Sequence, residues 1–145
     1  MIFISDEHKQ FYFDMQPKDV YHRALFYLIG LCPDTRRNID ALYDAEGIKP
    51  EAIHAGWQTG TSAKVTRLAF NLYTDGVPTA YRYEDNGGCL PYNDDDFMEC
   101  RLYSASDVFC CEYASYFMEA IKLRYPEYIK EISIPQKAHS ESPVR

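Results

Sequence analysis

Apolar positions along this chain recur mainly at the three- and four-residue spacing of helices, and proline, glycine and short polar side chains fill the breaks. Ser5-Asp6-Glu7 is a helix start: a serine hydroxyl can accept from free backbone amides, and two acids favour the positive end of the helix dipole. A first helix is predicted from Asp6 to Met15, stopped by Pro17. Asp19 opens a second, from Val20 to about Leu31, whose residues Leu25 to Ile29 are apolar nearly all round. Such a helix must be surrounded, so it is expected at the centre of the core, with Gly30 and Pro33 ending it. Asp34 or Thr35 caps a third helix, with Ile39, Leu42 and Tyr43 on one face and Gly47 as terminator. After a short piece from Pro50 to His54, Thr61 or Ser62 caps a fourth. Its Val65, Leu68, Ala69 and Leu72 form a buried stripe, and Lys64, Arg67 and Asn71 point outward.

From Thr74 to about Ser104 the pattern collapses into turn chemistry, Asp75-Gly76-Val77-Pro78 and Asn86-Gly87-Gly88, followed by the charge run Asp94-Asp95-Asp96. A long loop is expected there, with a short helix near Phe97 to Leu102. Ser106-Asp107 then starts what reads as the longest helix, reaching about Tyr125, with Cys110, Ala114, Phe117, Met118 and Ile121 on one stripe. The expected fold is mainly α: a single compact helical domain, residues 1–134, of about five helices with a long irregular acidic loop, and a flexible C-terminal tail, residues 135–145.

Composition sharpens this picture in three ways. With 46% hydrophobic and 26% charged residues, the chain lies far from the signature of disorder, and 145 residues bury enough surface to fold without staples. Thirteen tyrosines and eight phenylalanines suit half-buried positions and contact faces. The stretch from Leu72 to Glu112 carries nine acidic residues against two basic, and so accounts for the whole net charge of −7; direct nucleic-acid binding there is not expected. Neither a membrane span nor a secretory leader is read, and a cytoplasmic location is expected. Five cysteines without a CxxC pair argue against a disulfide framework, and four scattered histidines against a zinc site; no metal or cofactor is expected.

Several stretches carry a family resemblance. Phe109-Cys110-Cys111, Tyr113-Ala114, Tyr116-Phe117 and the run from Ala120 to Tyr128 are similar to the C-terminal signature of a family of small uncharacterised bacterial proteins. Ser5-Asp6-Glu7-His8, Asp19-Val20-Tyr21-His22, Asp34-Thr35-Arg36-Arg37-Asn38, Gly56-Trp57-Gln58-Thr59 and Ala69-Phe70-Asn71-Leu72-Tyr73 resemble its other recurring stretches, and the likeness spans nearly the whole chain except the acidic loop and the tail. The family pattern often has a proline near the place of Ser115 and a tryptophan near that of Met118; this chain departs from it there, which weakens any role for that spot. The resemblance implies a protein carried on mobile or conjugative elements of gut bacteria. It supplies no activity and no catalytic residues.

Three local features could carry chemistry. His54, Trp57, Gln58, Thr61 and Ser62 lead into the Lys64/Arg67 helix, and small residues, helix-start amides and two cations are what an anion or nucleotide phosphate needs. It is not a Walker loop, and a capped helix with its tryptophan in the core accounts equally for the pattern. Cys110-Cys111 at a helix start could be nucleophilic with His22 or His54 nearby, although Cys110 on an apolar stripe reads as a small hydrophobe. Asp94, Asp95, Asp96 and Glu99 lack the alternation of a calcium loop; they read as a solvated loop, or as a partner-binding surface that mimics nucleic-acid phosphates. A helix-turn-helix over Ile39 to Ile53 is set aside, because the net charge around it is zero and Pro50 shortens its second helix.

No nucleophile, base and orienting group can be assembled from the sequence, so the favoured expectation is a non-enzymatic binding or accessory domain acting through a protein partner. The alternatives are a small-molecule or nucleotide-binding enzyme using Trp57 to Arg67, and an acidic nucleic-acid mimic that inhibits a host protein.

Overall fold

The computed structural model describes residues 1–80, 91–133 and 135. The Asn86-Gly87-Gly88 turn, Cys89 and the tail residues 136–145 lie outside the described residues. Eight helices are present among the described residues: α1 (Asp6–Asp14), α2 (Val20–Leu31), α3 (Pro33–Arg37), α4 (Ile39–Leu42), α5 (Gly60–Thr74), α6 (Asp94–Arg101), α7 (Ala105–Val108) and α8 (Ala114–Arg124). A two-stranded hairpin, β1 (Tyr43–Asp44) and β2 (Gly47–Ile48), follows α4, and single 3-10 turns occupy Pro50–His54 and Pro78–Ala80.

The all-apolar helix sits where its pattern requires. Asp19 caps α2 by accepting from the His22 amide at 2.9 Å, and every residue from Ala24 to Leu31 is buried. α1, α5 and α8 pack around it. From α5 come Val65, Leu68, Ala69, Phe70 and Leu72, and from α8 Phe117 and Ala120. The carbonyls at the end of α2 find partners without a glycine cap. The Thr35 hydroxyl donates to the Ile29 oxygen at 2.6 Å, and Arg36 donates to that of Gly30 at 2.7 Å. Gly30 itself marks a close approach between helices, because a Cβ there would stand 2.6 Å from Cδ1 of Phe11.

His8 is fully buried between α1 and α2. Its Nδ1 accepts from the Ile4 amide at 3.2 Å and its Nε2–H donates to the Tyr27 carbonyl at 2.7 Å, which fixes the neutral tautomer. Burial dominates its titration and lowers its pKa to about 4.

Three expected elements are different. The third helix ends early: Asn38 leaves helical geometry, its side chain donating to the Asp34 carbonyl at 2.7 Å, and after α4 the chain turns back as a hairpin pairing Tyr43 with Ile48 and Asp44 with Gly47. Gly47 adopts φ 118°, a conformation open to glycine alone at little cost. This hairpin also occupies the span weighed as a helix-turn-helix.

The expected last long helix is interrupted between α7 and α8. The Asp107 carbonyl accepts from Lys64 Nζ, and the Val108 carbonyl accepts from the Cys111 thiol at 3.7 Å. Those are the acceptors a continuous helix would offer to the amides of residues 111 and 112. In consequence Cys110 is exposed rather than part of a buried stripe, Met118 is exposed as well, and α5 is the longest helix among the described residues.

Of the loop expected from Thr74 to Ser104, residues 81–90 lie outside the described residues, and the short helix expected near Phe97 to Leu102 starts earlier, at Asp94. Asp94-Asp95-Asp96 forms the first turn of α6, where Asn93 and Asp96 make a reciprocal capping box. The outward face expected for α5 is covered too: Lys64 reaches α7, Arg67 reaches α6, and Asn71 donates to the Gly76 carbonyl at 2.7 Å.

Arg124 closes the far end of α5. Its Nε donates to the Leu72 carbonyl at 2.9 Å and its Nη2 to Asp75 at 2.8 Å, with the guanidinium 3.8 Å from the Tyr21 ring centroid and 4.7 Å from that of Tyr125.

Candidate functional site

The fold joins two of the features read separately along the chain. His54, at the end of its 3-10 turn, shares a surface depression of about 440 Å³ with Thr79 and with Asp95, Asp96 and Glu99 of α6. Asp94 and Asp95 are exposed in the first turn of that helix, where its dipole favours negative charge. Asp96 is buried, its carboxylate accepting from the Asn93 amide at 2.8 Å. On the same helix Phe97 and Met98 are more than half exposed, so the acids are flanked by apolar surface.

Glu99 anchors the floor. Both of its oxygens accept from Arg67, at 2.9 Å from Nε and 3.0 Å from Nη2, and the Thr79 hydroxyl donates to it at 2.6 Å. Burial pushes its carboxyl up, but the Arg67 and Thr79 bonds with the charges of Arg67 and His54 outweigh this and hold it below the ordinary value. Thr79 also meets the Tyr103 hydroxyl at 2.6 Å, and burial pushes that phenol up to about 12.

The segment expected to bind anions is built differently from the expectation. Thr59, not Thr61 or Ser62, caps α5, in a box where the Ser62 amide bonds the Thr59 hydroxyl at 3.1 Å and the Thr59 amide bonds the Ser62 hydroxyl at 2.7 Å. Gln58 accepts from the Ser62 hydroxyl at 2.6 Å and donates to Thr66 at 3.1 Å, so its amide braces the helix start from within. Trp57 is half-buried against the core and Thr61 is partly buried on the first turn. The two cations are both engaged, Lys64 by a backbone carbonyl and Arg67 by Glu99. Of the cysteine pair, Cys110 is exposed and Cys111 partly buried. No group of three or more His, Cys, Asp or Glu among the described residues is placed to hold a metal ion.

A second constellation lies at the start of α2. The Asp19 carboxylate accepts from Nδ1 of His22 at 2.8 Å, which leaves Nε2 of the neutral ring as an acceptor. Two phenols approach that nitrogen, Tyr43 at 3.2 Å and Tyr73 at 3.4 Å. One lone pair takes one proton, so the two phenols share that nitrogen, and Asp19, His22, Tyr43 and Tyr73 form a chain of polar groups that converges on the imidazole. Burial raises the Tyr73 pKa, with Tyr43 and Asp19 adding to it, while the backbone amide and ring of His22 keep Asp19 below the usual carboxylate range. Beside this chain is a depression of about 410 Å³, bordered by Met15, Pro17, Lys18, Phe26 and Tyr43.

Residues 1–137 match a family described as a family of unknown function, DUF6075. The chain belongs to that family. Neither a curated protein nor a solved structure matches it. No helix among the described residues of this DUF6075 chain is long and apolar enough to cross a membrane.

Sequence reasoning singled out the acids and His54 in this DUF6075 chain, but missed Thr79, Tyr103 and the whole His22 group. One local signal was available: Asp19 and His22 stand three apart at a helix start, where a cap and the residue at the third helical position share a side. Tyr43 and Tyr73 carry no such mark.

Proposed function

We propose that this DUF6075 domain is a binding or accessory domain that acts through a protein partner, and that the partner presents a lysine- or arginine-bearing segment to the face formed by His54, Asp94, Asp95 and the exposed side of α6. The role asks for no chemistry at that surface. The observation that carries it is the commitment of Lys64 and Arg67 to internal acceptors, which turns the neighbourhood of His54 from a candidate anion site into an acidic face. Phe97 and Met98 beside the acids favour a peptide or protein over a simple cation, since an interface needs apolar contact as well as charge complementarity. A host protein whose nucleic-acid groove this domain fills as an acidic mimic is one form such a partner could take. The setting on a bacterial mobile element rests on the sequence resemblance, and the cytoplasmic location on the hydropathy pattern of the sequence.

Affinity capture from a bacterial lysate with the wild-type chain and with an Asp94→Lys/Asp95→Lys variant tests the reading. A partner retained by the wild type, lost by the variant and released by salt is expected, because exposed charges are screened within about 8 Å at physiological ionic strength. Equal capture by both proteins, or no reproducible capture, overturns it. The enzyme alternative, centred on Trp57 to Arg67, requires a nucleotide-dependent thermal shift that Arg67→Lys weakens; a flat response to a nucleotide panel retires it.

A further inference from the structure

The four-residue chain at the start of α2 has parts that the acidic face does not use. Asp19 fixes the ring of His22 by its Nδ1–H, and the opposite nitrogen meets Tyr43 at 3.2 Å on the border of the 410 Å³ depression. The three elements that supply these groups are independent, α2 with its cap, β1 and α5, so their convergence is a product of the fold and not of one local motif. His22 keeps about a third of its side chain accessible, at 30%, which leaves it reachable from solvent. The residue next to the depression's proline, Gln16, holds φ 50°, a left-handed conformation that costs a non-glycine residue energy and that clusters at binding and catalytic sites.

We propose that this depression is a hydrolytic site for small uncharged acyl compounds, esters or thioesters, with His22 as general base and Tyr43 as donor to the developing oxyanion. Its walls decide the substrate class. Met15, Pro17, Phe26 and the Tyr43 ring are apolar, and the carboxylate of Asp19 beside Lys18 leaves no surplus of positive charge for a phosphate. Hydrolysis proceeds by attack of a water oxygen on the acyl carbon, its proton passing to Nε2 of His22. The Tyr43 hydroxyl turns from Nε2 to the carbonyl oxygen as that oxygen becomes negative. Collapse of the tetrahedral intermediate breaks the bond to the alkoxide or thiolate, which leaves with the proton held by the imidazolium, and the acid is released. Asp19 is a positioning residue that holds the ring in the required tautomer. Tyr73 packs edge-on against the Tyr43 ring, with centroids 6.3 Å apart.

Turnover of p-nitrophenyl acetate by the full chain, read against free imidazole at equal concentration, tests the proposal. The wild type is expected to exceed imidazole, and His22→Gln to lose about 10²-fold or more in kcat. Tyr43→Phe should also lower kcat, with KM little changed, whereas His139→Gln, which removes a different imidazole, should leave the rate as it was. For Asp19, the substitution Asp19→Asn retains a capping side chain for α2, and nitrogen NMR of the ring reports the tautomer directly. A fall in kcat of roughly tenfold together with a shift of the His22 proton away from Nδ1 is expected. A wild-type rate no greater than that of imidazole, a full rate in His22→Gln, or loss of the rate in His139→Gln overturns the proposal. Should His22→Gln fail to fold, Tyr43→Phe removes one oxygen from a half-buried ring and decides in its place.

Discussion

Arg67 and Glu99, 32 residues apart, meet through two parallel bonds of 2.9 and 3.0 Å, with their side chains only 12% and 10% exposed. Desolvated pairs of this kind are costly to break, because the survivor is left charged and buried. Arg67→Ala is therefore expected to destabilise the fold by about 3–5 kcal/mol, and the double variant Arg67→Met/Glu99→Leu to recover most of the loss. Urea denaturation of the wild type and the two variants checks this; a double variant no more stable than Arg67→Ala would refute the pairing argument. The folded-state carboxyl of Glu99 lies below its ordinary value of 4.5. The pair's stabilisation is thus complete above the unfolded value and is lost as pH falls through the folded one.

His8 contributes an acid sensitivity that begins at higher pH. Its folded pKa is lowered from 6.5 to about 4, so between those values the unfolded chain binds a proton that the folded chain refuses. Stability from this residue is full above about 6.5, falls on the order of 3 kcal/mol as pH drops to about 4, and is level below that. A proton NMR titration should find one imidazole that stays neutral well below pH 6.5. If all histidines titrate near 6.5, the buried neutral assignment fails.

At Gly30 two opposing effects of known size compete. Alanine favours a helix over glycine by about 1 kcal/mol. The added methyl, however, would stand 2.6 Å from Phe11 and 3.1 Å from His8. Overpacking costs about 1–3 kcal/mol, so Gly30→Ala should lower the thermal midpoint despite the better propensity. A raised midpoint would mean that α1 shifts aside without cost.

Arg124→Lys tests the guanidinium at the end of α5. A lysine cannot serve the Leu72 carbonyl, Asp75 and two tyrosine rings at once, and a loss of about 1–3 kcal/mol is expected. Asp75→Ala should cost under about 1 kcal/mol, because its side chain is 54% exposed and solvent screens the pair. Equal losses would place the stabilisation in the ion pair instead of the carbonyl bond.

Elements with strong local punctuation were legible in the sequence. Ser5 and Pro17 bracket α1, Asp19 and Pro33 bracket α2, and the Val65 to Leu72 stripe of α5 is buried as its spacing requires. What was not legible depends on distant partners. Nothing near Asp107 reveals that Lys64 will take its carbonyl and interrupt a helix, and two-residue strands such as Tyr43–Asp44 are too short to show a period. The candidate site divides the same way. Asp94 to Asp96 announce themselves as a charge run, but their meeting with His54 arises only when α6 closes over Arg67. Asp19 and His22 could be paired from their spacing, whereas Tyr73 reaches them only through the packing of α5 against α2, and Tyr43 only through the turn of the chain from α4 into β1.

The central helix is flanked by α1 and by α8, the first and last helices among the described residues, and the carboxyl end of α5 waits for a residue at position 124. A growing polypeptide therefore cannot finish burying Leu25 to Leu31 until α8 has emerged from the ribosome. Up to that moment the most oily segment of the protein is a ready target for chaperones.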